Sequence, residues 1–315
     1  MSADLDSPLS QPKEAPMRRT KRAHWQKVRE FVGNPRAAVG VGIFGLFVLI
    51  AIFAPLIAPY NPQATNFLPN QPPSAANWLG TTATGQDVFS QFIFGTRTSL
   101  TVGVGAGLLS TFLALAIGVY AGYRGGVIDS ILTALTNIFL VLPTLALLIV
   151  MESYLRNTTP ITNGFIIGLT GWAWGARVFR SQTMSLISRD FVVAARLSGM
   201  SSVRIMLTEI IPNMLSIVAS NIMYACLGAI LAESGLAFLG FENLSSSSWG
   251  TMLYWADAGG AMLNGAWWWF LPPGLAIALV GTSFALMNSS VDQITNPRLR
   301  AARRRKQHGA NSAGA

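Results

Sequence analysis

Six long apolar stretches alternate with polar segments along the chain of 315 residues. Each stretch is close to the length of about 20 residues that a helix needs to cross a bilayer, and far too long for a strand of a membrane barrel. Apart from Arg177 near the end of the fourth, none contains Lys, Arg, Asp or Glu. The pattern predicts an all-α integral membrane protein with six transmembrane helices, at about residues 37–58, 99–120, 131–151, 161–179, 214–232 and 267–287.

Small residues recur at intervals of four in the second stretch. Gly103 and Gly107 form one pair, and Ala114, Gly118 and Gly122 continue the spacing. Because small residues at this interval let two helix backbones approach closely, the second stretch is predicted to pack tightly against a neighbour.

Composition supports the membrane assignment. Hydrophobic residues make up 51% of the chain and charged residues only 11%, against about 25% charged residues in soluble domains. A soluble enzyme, a disordered chain and a disulfide-rich secreted module are therefore disfavoured. The single cysteine, Cys226, excludes an internal disulfide and a cysteine-based zinc cluster.

The net charge of +9 is a topology signal. Of the 22 Lys and Arg residues, all but Arg97 and Arg156 lie in or next to the two tails, or in or next to the segments that follow the second and fourth stretches. Since basic loops stay on the cytoplasmic side, both termini are predicted to be cytoplasmic. The basic residues then lie near anionic lipid head groups of the bilayer, and no nucleic-acid partner is expected.

The same pattern divides the chain into three parts. We predict a cytoplasmic basic N-terminal tail (1–33), a six-helix permease domain (34–297) and a cytoplasmic basic C-terminal tail (298–315). Within the domain, the polar residues 59–97 are predicted to form an external flap, hereafter the flap.

Residues 188–212 are amphipathic but too charged to span. Asp190 is placed to cap a short helix over Phe191–Leu197, and Gly199 allows a left-handed stop. Ser201 or Ser202 then begins a second helix that ends near Pro212. The prediction is a bent helix pair on the cytoplasmic side, for which a simple surface connector is the alternative.

The sequence lacks residues for chemistry of its own. It contains no phosphate-binding P-loop, and its two histidines, His24 and His308, lie in the polar tails. Ion-coupled carriers usually hold ionisable residues inside the membrane, whereas here such residues are confined to span ends. We therefore expect no catalytic residue, cofactor or metal site in this chain, and an energy source in another subunit.

Motifs along the chain resemble one family. Val193-Ala194-Ala195, Gly199 and Ile211-Pro212 are similar to the EAA loop of ABC-importer permeases. Other matching pieces point to the C-type permeases of the dipeptide, oligopeptide and nickel branch. They are Asn34-Pro35, Ala54-Pro-Leu-Ile-Ala-Pro-Tyr-Asn-Pro62, Trp78-Leu-Gly-Thr-Thr-Ala-Thr-Gly-Gln-Asp87, Gly95-Thr-Arg-Thr-Ser-Leu100, Glu233-Ser-Gly-Leu-Ala-Phe-Leu-Gly240 and Ser248-Trp-Gly-Thr-Met-Leu253.

The resemblance implies a type I ABC-importer permease fold in the bacterial plasma membrane. It also implies a second related permease, two ATPase domains (separate or fused in one subunit) that bind ATP and Mg, and an extracytoplasmic substrate-binding protein. Residues 188–212, hereafter the coupling segment, would contact the ATPase. The matching contact positions are Asp190, Phe191, Val193, Ala194, Ala195, Arg196 and Gly199.

Three positions depart from the family pattern. Val193 stands where the family has Glu, so a capping box with Asp190 is missing. Thr82 and Gln86 stand where Asp and Arg are expected in the flap. An ion pair is therefore absent there, which leaves open whether the flap works as in relatives.

The predicted function is ATP-driven import of short peptides, with this chain as a non-catalytic pathway subunit. Nickel complexes, haem or another small compound are alternative cargoes, and a stand-alone secondary transporter or channel, or a membrane scaffold, is an alternative class. Four polar residues in or next to the spans are candidates for the pathway. They are Asn137, Asn221, Glu233 and Asn288. For the three asparagines the alternative is hydrogen bonding between helices, and for the glutamate at the outer end of the fifth span it is a charge that faces the membrane interface.

Overall fold

The computed structural model describes residues 34–155 and 159–295. Both predicted tails, and Arg156, lie outside the described residues. The described chain is helical, with the following elements in order: α1 (Pro35–Ile52), α2 (Ala54–Ile57), α3 (Val88–Arg124), α4 (Gly126–Val141), α5 (Thr144–Tyr154), α6 (Pro160–Thr170), α7 (Ala173–Ile187), α8 (Asp190–Leu197), α9 (Ser202–Ile205), a π-helical turn (Met206–Ile210), α10 (Ile211–Asn213), α11 (Leu215–Phe238), α12 (Trp249–Ala258) and α13 (Trp267–Thr295).

Within these described ranges, four helices are each long and apolar enough to cross a membrane: α1, α3, α11 and α13. The third predicted span corresponds to α4 and α5, which meet at a bend of 90° and together make a fifth candidate. Pro143 explains the break, because a proline disfavours helical backbone in the residue before it. Leu142 accordingly has an extended conformation (φ −70°, ψ 127°).

The fourth predicted span, residues 161–179, is divided between two helices. α6 ends at Thr170 with Gly171 as its cap, and α7 begins at Ala173. Neither half is long enough to cross a membrane alone, at 11 and 15 residues. The count of six spans therefore stays a prediction.

The second predicted span is much longer than expected. α3 has 37 residues and begins at Val88, so the flap ends at Asp87 and not at residue 97. Asp87 starts the helix, since its Oδ2 accepts hydrogen bonds from the backbone N–H of Ser90 at 2.8 Å and from the Ser90 hydroxyl at 2.7 Å. At 1.5 Å per residue, α3 is about 55 Å long.

The glycines of α3 bring other helices to its surface, as their spacing predicted. A Cβ atom built on Gly107 would lie 2.6 Å from the backbone of Cys226 in α11, and one on Gly118 would lie 2.4 Å from the carbonyl oxygen of Ala176 in α7. Real Cβ atoms essentially never approach so closely. The close neighbours of α3 thus belong to this same chain.

A single core cluster joins the coupling segment to α3 and α7. Buried apolar side chains from all three regions contact each other there, among them Ala114 of α3, Phe179 of α7 and Val192 of α8. We call α3, α7 and the coupling segment the coupling body.

The flap is folded by its own polar groups. Asn77 Nδ2 donates to Asp87 Oδ1 at 2.8 Å, and Thr81 Oγ1 donates to the Leu68 carbonyl at 2.7 Å. The indole of Trp268 in α13 donates to the Thr81 carbonyl at 3.3 Å. The flap is therefore attached to the bundle at the end opposite the coupling segment, where α3 begins.

Candidate functional site

The helix of the coupling segment begins one residue earlier than the sequence predicted. Asp190 was expected to cap the helix, but it is the first helical residue of α8 and the cap position is taken by Arg189. No side-chain cap bond forms. The prediction of an aspartate cap was wrong, because Arg189 already has the extended backbone (φ −76°, ψ 144°) of a cap residue. Asp190 still suits the first turn, where a negative charge faces the positive end of the helix dipole.

Gly199 ends α8 in the left-handed conformation that its position predicted, with φ +77°. Two backbone bonds close the turn: the N–H of Gly199 donates to the Arg196 carbonyl at 3.1 Å, and that of Met200 to the Ala195 carbonyl at 3.2 Å. This pair of bonds is a Schellman motif. Ser201 then takes the cap position of α9, without a side-chain cap bond.

One side chain anchors α8 to the bundle, and the sequence analysis did not single it out. Val192 is completely buried in the core cluster, while the residues on both sides of it are exposed. The available signal for its burial was an apolar residue in an amphipathic helix, and the positions implied by the family motif did not include it.

The outward face of the coupling segment carries apolar side chains. Phe191 is 38% exposed, Val193 41% and Leu197 84%. Val203 and Leu207, on the helical turns that follow, are also exposed. Exposed apolar side chains at the end of the bundle offer area that a partner could cover. We call these five residues the docking surface.

The remaining positions implied by the family motif lie around this surface. Asp190, Ala194 and Gly199 are exposed, and Ala195 is half-buried. Arg196 extends back to α3, with its guanidinium 5.7 Å from the ring centroid of Tyr123. Such a cation–π contact ties α8 to the end of α3. The structure places all seven positions on one short helix and its turn, while their contact with an ATPase stays a prediction.

Two arginines of α7 hold side chains of α4. Arg180 donates from Nε to Asp129 Oδ1 at 2.5 Å and from Nη2 to Asp129 Oδ2 at 2.6 Å. Arg177 Nη2 donates to Asn137 Oδ1 at 2.7 Å. One of the four candidate pathway residues, Asn137, is therefore engaged by an arginine of the coupling body.

The other three candidates also make hydrogen bonds between helices. Asn221 Nδ2 of α11 donates to Thr111 Oγ1 of α3 at 3.0 Å, and Asn288 Nδ2 of α13 donates to the Tyr224 hydroxyl of α11 at 3.0 Å. All three asparagines therefore bond across helices, the second of the two roles considered for them. Whether any also faces a pathway stays a prediction.

The fourth candidate, Glu233, lies inside α11 and is fully buried. Its Oε2 accepts hydrogen bonds from the hydroxyls of Ser99 at 3.2 Å and Ser234 at 3.1 Å. Ser99 Oγ in turn accepts from the backbone N–H of Trp249 at 3.0 Å. Glu233 thus joins α11, α3 and α12 at the end of the bundle where the flap lies.

A second buried carboxyl lies just beyond α11. Asn163 Nδ2 of α6 donates to Glu242 Oε1 at 2.8 Å, while Glu242 Oε2 is buried with no hydrogen-bond partner in the described chain. Burial raises the pKa of the Glu242 carboxyl to about 8, and the negative charge of Glu233 adds to the effect. Sequence reasoning missed Glu242, because nothing in the local pattern shows that it is buried.

The flap replaces the expected ion pair with neutral hydrogen bonds. Thr82 is buried, and its Oγ1 accepts from the backbone N–H of Gln86 at 3.0 Å. The Gln86 side chain accepts from Gln91 Nε2 at 2.7 Å and donates to the Gln63 carbonyl at 3.3 Å. The three glutamines line an uncharged cleft of about 430 Å³ between the flap and α12.

These features define a class of protein before any comparison is made. Long apolar helices packed through glycines are the architecture of a multi-span membrane protein, and an exposed helical segment lies at one end of the bundle.

Comparison with known families identifies the class more closely. Residues 114–301 match the family model described as binding-protein-dependent transport system inner membrane component. Residues 24–73 match the N-terminal TM domain of oligopeptide transport permease C. The chain therefore belongs to the binding-protein-dependent permeases of ABC importers, in the peptide and nickel branch, and is a component of the inner membrane. The family resemblance found in the sequence is confirmed.

Individual relatives cover most of the chain. The oligopeptide transport system permease protein OppC of Mycobacterium bovis is 34% identical over 88% of this chain and 95% of its own length. The dipeptide transport system permease protein DppC of Bacillus subtilis is 30% identical over 88% and 85%. The nickel transport system permease protein NikC of Escherichia coli K12 is 34% identical over 82% and 92%.

Proposed function

We propose that this chain forms, with a second related permease, the translocation pathway through which short peptides enter the cell. Its six crossings are α1, α3, the bent pair α4–α5, the pair α6–α7, α11 and α13. An even number of crossings places both termini on the same side, and the distribution of basic residues favours the cytoplasmic side. The flap then faces outward, toward a substrate-binding protein.

The docking surface is the observation that carries the proposal. α8 is held to the bundle by the buried Val192, and it presents Phe191, Val193 and Leu197 to the surroundings. A partner that covers these side chains would gain the free energy of burying them, about 25 cal/mol per Å² of apolar area. An ATPase subunit that binds ATP and Mg is the partner proposed, with two ATPase domains in the complex, separate or fused.

The mechanism follows from that contact. When ATP closes the ATPase pair, the docking surface moves with the subunit to which it is bound. The core cluster passes this movement to α3 and α7, and the bundle switches between inward-open and outward-open packing, as a rigid-body transition between two states. The binding protein supplies the ligand to the outward-open state, and ATP hydrolysis resets the transporter.

A peptide is the cargo we propose, because two of the relatives described above are named for oligopeptide and dipeptide transport. Nickel is the second candidate, since the relative named for nickel transport is equally similar at 34% identity. The binding protein, and not this chain, is proposed to select between them.

The test is uptake by the complete transporter, reconstituted in vesicles with its permease, ATPase and binding-protein partners. The proposal expects ATP-dependent accumulation of a radiolabelled dipeptide and none of radioactive nickel. A matched control contains an ATPase partner that binds ATP but cannot hydrolyse it. Accumulation of nickel alone would contradict the peptide assignment, and uptake by this chain without any ATPase would contradict the importer assignment in favour of a secondary carrier.

A further inference from the structure

α4 is attached to the rest of the bundle by a joint at each end. At its start, Gly125 and Gly126 both have positive φ, +65° and +58°, and a Cβ atom on either would meet nothing within 4 Å. At its end, the break at Pro143 turns the chain by 90° into α5. A change of backbone angles at these two places would reorient α4 without disturbing its neighbours in sequence.

The sides of α4 are also loosely packed. Thr136 is its only fully buried residue, and large apolar side chains such as Ile131, Ile138 and Val141 are more than half exposed. Phe139 contributes an apolar contact through its ring, 5.2 Å from that of Trp172. Apolar packing alone therefore constrains α4 less than it constrains α3, whose glycines contact α7 and α11 directly.

Polar contacts supply the remaining attachment, and they all come from α7. In the described part of the chain, the side-chain hydrogen bonds that join α4 to another helix are those of Arg180 to Asp129 and of Arg177 to Asn137. The two arginines lie three residues apart, on one face of α7. The two acceptors lie eight residues apart on α4, which is about 12 Å along its axis. Two separated contacts fix both the position of α4 and its direction.

The arginines are well placed to transmit movement. α7 continues through Ser188 and Arg189 into α8, and both helices belong to the coupling body. The contact between Arg180 and Asp129 is bidentate and partly shielded, with side chains 30% and 15% exposed. This geometry is the stronger and more directional form of ion pair.

We infer that Arg177 and Arg180 are positioning residues that make α4 follow the coupling body when that body moves in the transport cycle. The inference rests on the proposed function and adds to it a specific connection between the docking surface and the third membrane crossing. Without the arginines, the coupling body would still move on ATP binding, but α4 would pivot on its glycine and proline joints and lag behind.

The experiment compares the wild-type transporter with the variant Arg177→Gln/Arg180→Gln in reconstituted complexes. Spin labels at Ile138→Cys on α4 and Met184→Cys on α7 report the distance between α4 and the coupling body. Both sites are exposed, and the native Cys226 is buried. Arg124→Gln is the matched control. Arg124 is an exposed arginine at the end of α3 that adjoins α4, and its side chain makes no hydrogen bond in the described chain.

The inference expects one narrow distance distribution in the wild type and in Arg124→Gln, with and without ATP. In the double variant the distribution broadens. Peptide uptake in the double variant falls about tenfold, while its ATP hydrolysis changes less than about twofold. The tenfold fall lies within the range of about 5- to 150-fold that is usual for coupling between sites. A separate variant exchanges the two charges, with Asp129→Arg and Arg180→Asp in an otherwise wild-type chain. Its uptake should lie between that of the double variant and that of the wild type.

Two results would overturn the inference: an unchanged narrow distance distribution in the double variant, or an equal fall in uptake and ATP hydrolysis. If the double variant does not assemble, Arg177→Gln alone and the charge exchange carry the same comparison. Failure of the proposed function is a different result, in which the wild-type complex accumulates no peptide at all.

Discussion

Replacing Gly199 by valine tests whether the backbone conformation of the coupling segment controls transport. The residue has φ +77°, and a Cβ atom there would meet nothing within 4 Å. The substitution therefore creates no clash with neighbouring elements. Its whole cost comes from placing an L-residue in left-handed backbone, about 1–2 kcal/mol and at the high end for a β-branched side chain.

The magnitude follows from this single term. Since about 1.4 kcal/mol corresponds to a factor of ten in an equilibrium constant, Gly199→Val should reduce the ratio of the native turn to its alternatives about tenfold. Those alternatives lose the two backbone bonds that Gly199 and Met200 donate at 3.1 and 3.2 Å. The turn would then no longer hold α8 in the orientation in which its exposed apolar side chains meet the partner.

The assay is peptide uptake per ATP hydrolysed in the assembled transporter. Gly199→Val should insert and assemble normally and should lower uptake by up to about tenfold. Gly199→Asn is the matched control, because asparagine tolerates left-handed backbone, and it should lose less than about threefold. If valine and asparagine behave alike, or if valine has no effect, backbone conformation at this turn does not control coupling and the reasoning is refuted.

Three further predictions concern the packing of the bundle. Val192→Ala should weaken the packing of α8 on the bundle by about 2 kcal/mol, because a fully buried side chain loses two methyl groups. Hydrogen exchange of the α8 amides should then accelerate, and unchanged exchange would contradict the role of Val192 as the anchor. Gly107→Ala should destabilise the purified protein in thermal unfolding, since its Cβ would lie 2.6 Å from the backbone of Cys226, whereas Gly105→Ala, which meets open space, should not; equal unfolding temperatures would refute the close-packing argument. Because the pKa of Glu242 is raised to about 8, its carboxyl destabilises the fold increasingly as the pH rises from about 4.5 to about 8. Glu242→Gln should therefore raise the unfolding temperature more at pH 9 than at pH 5. An effect of the substitution that does not depend on pH would contradict the burial argument.

The sequence predicts those features of this fold that depend on local composition and spacing. Apolar runs locate α1, α3, α11 and α13 along the chain, although not all of their ends, and the interval of four between Gly103 and Gly107 predicts the close approach of a neighbouring helix. Gly199 is predicted as a left-handed stop from its position alone, and the structure confirms it.

Features that depend on three-dimensional neighbours are not predictable in this way. The start of α3 moves from the predicted residue 99 to Val88, because a local cap at Asp87 extends the helix beyond its apolar run. Arg180 and Asp129 are 51 residues apart in sequence, and no pattern in either segment indicates the other. Val192 and Glu242 likewise look ordinary in the chain, and only packing shows that both are buried.

The continuity of α3 has a consequence for how distant events in the molecule are related. A helix of about 55 Å exceeds the roughly 30 Å of hydrocarbon by almost one bilayer half-thickness on each side. One end is fixed to the flap through Asp87, and the other meets α8 through Tyr123. A rod without an internal joint has few ways to respond to a push at one end, chiefly tilting or turning about its axis. The two surfaces of the protein are therefore joined by one stiff element, and a movement imposed on either end of α3 reaches the other end.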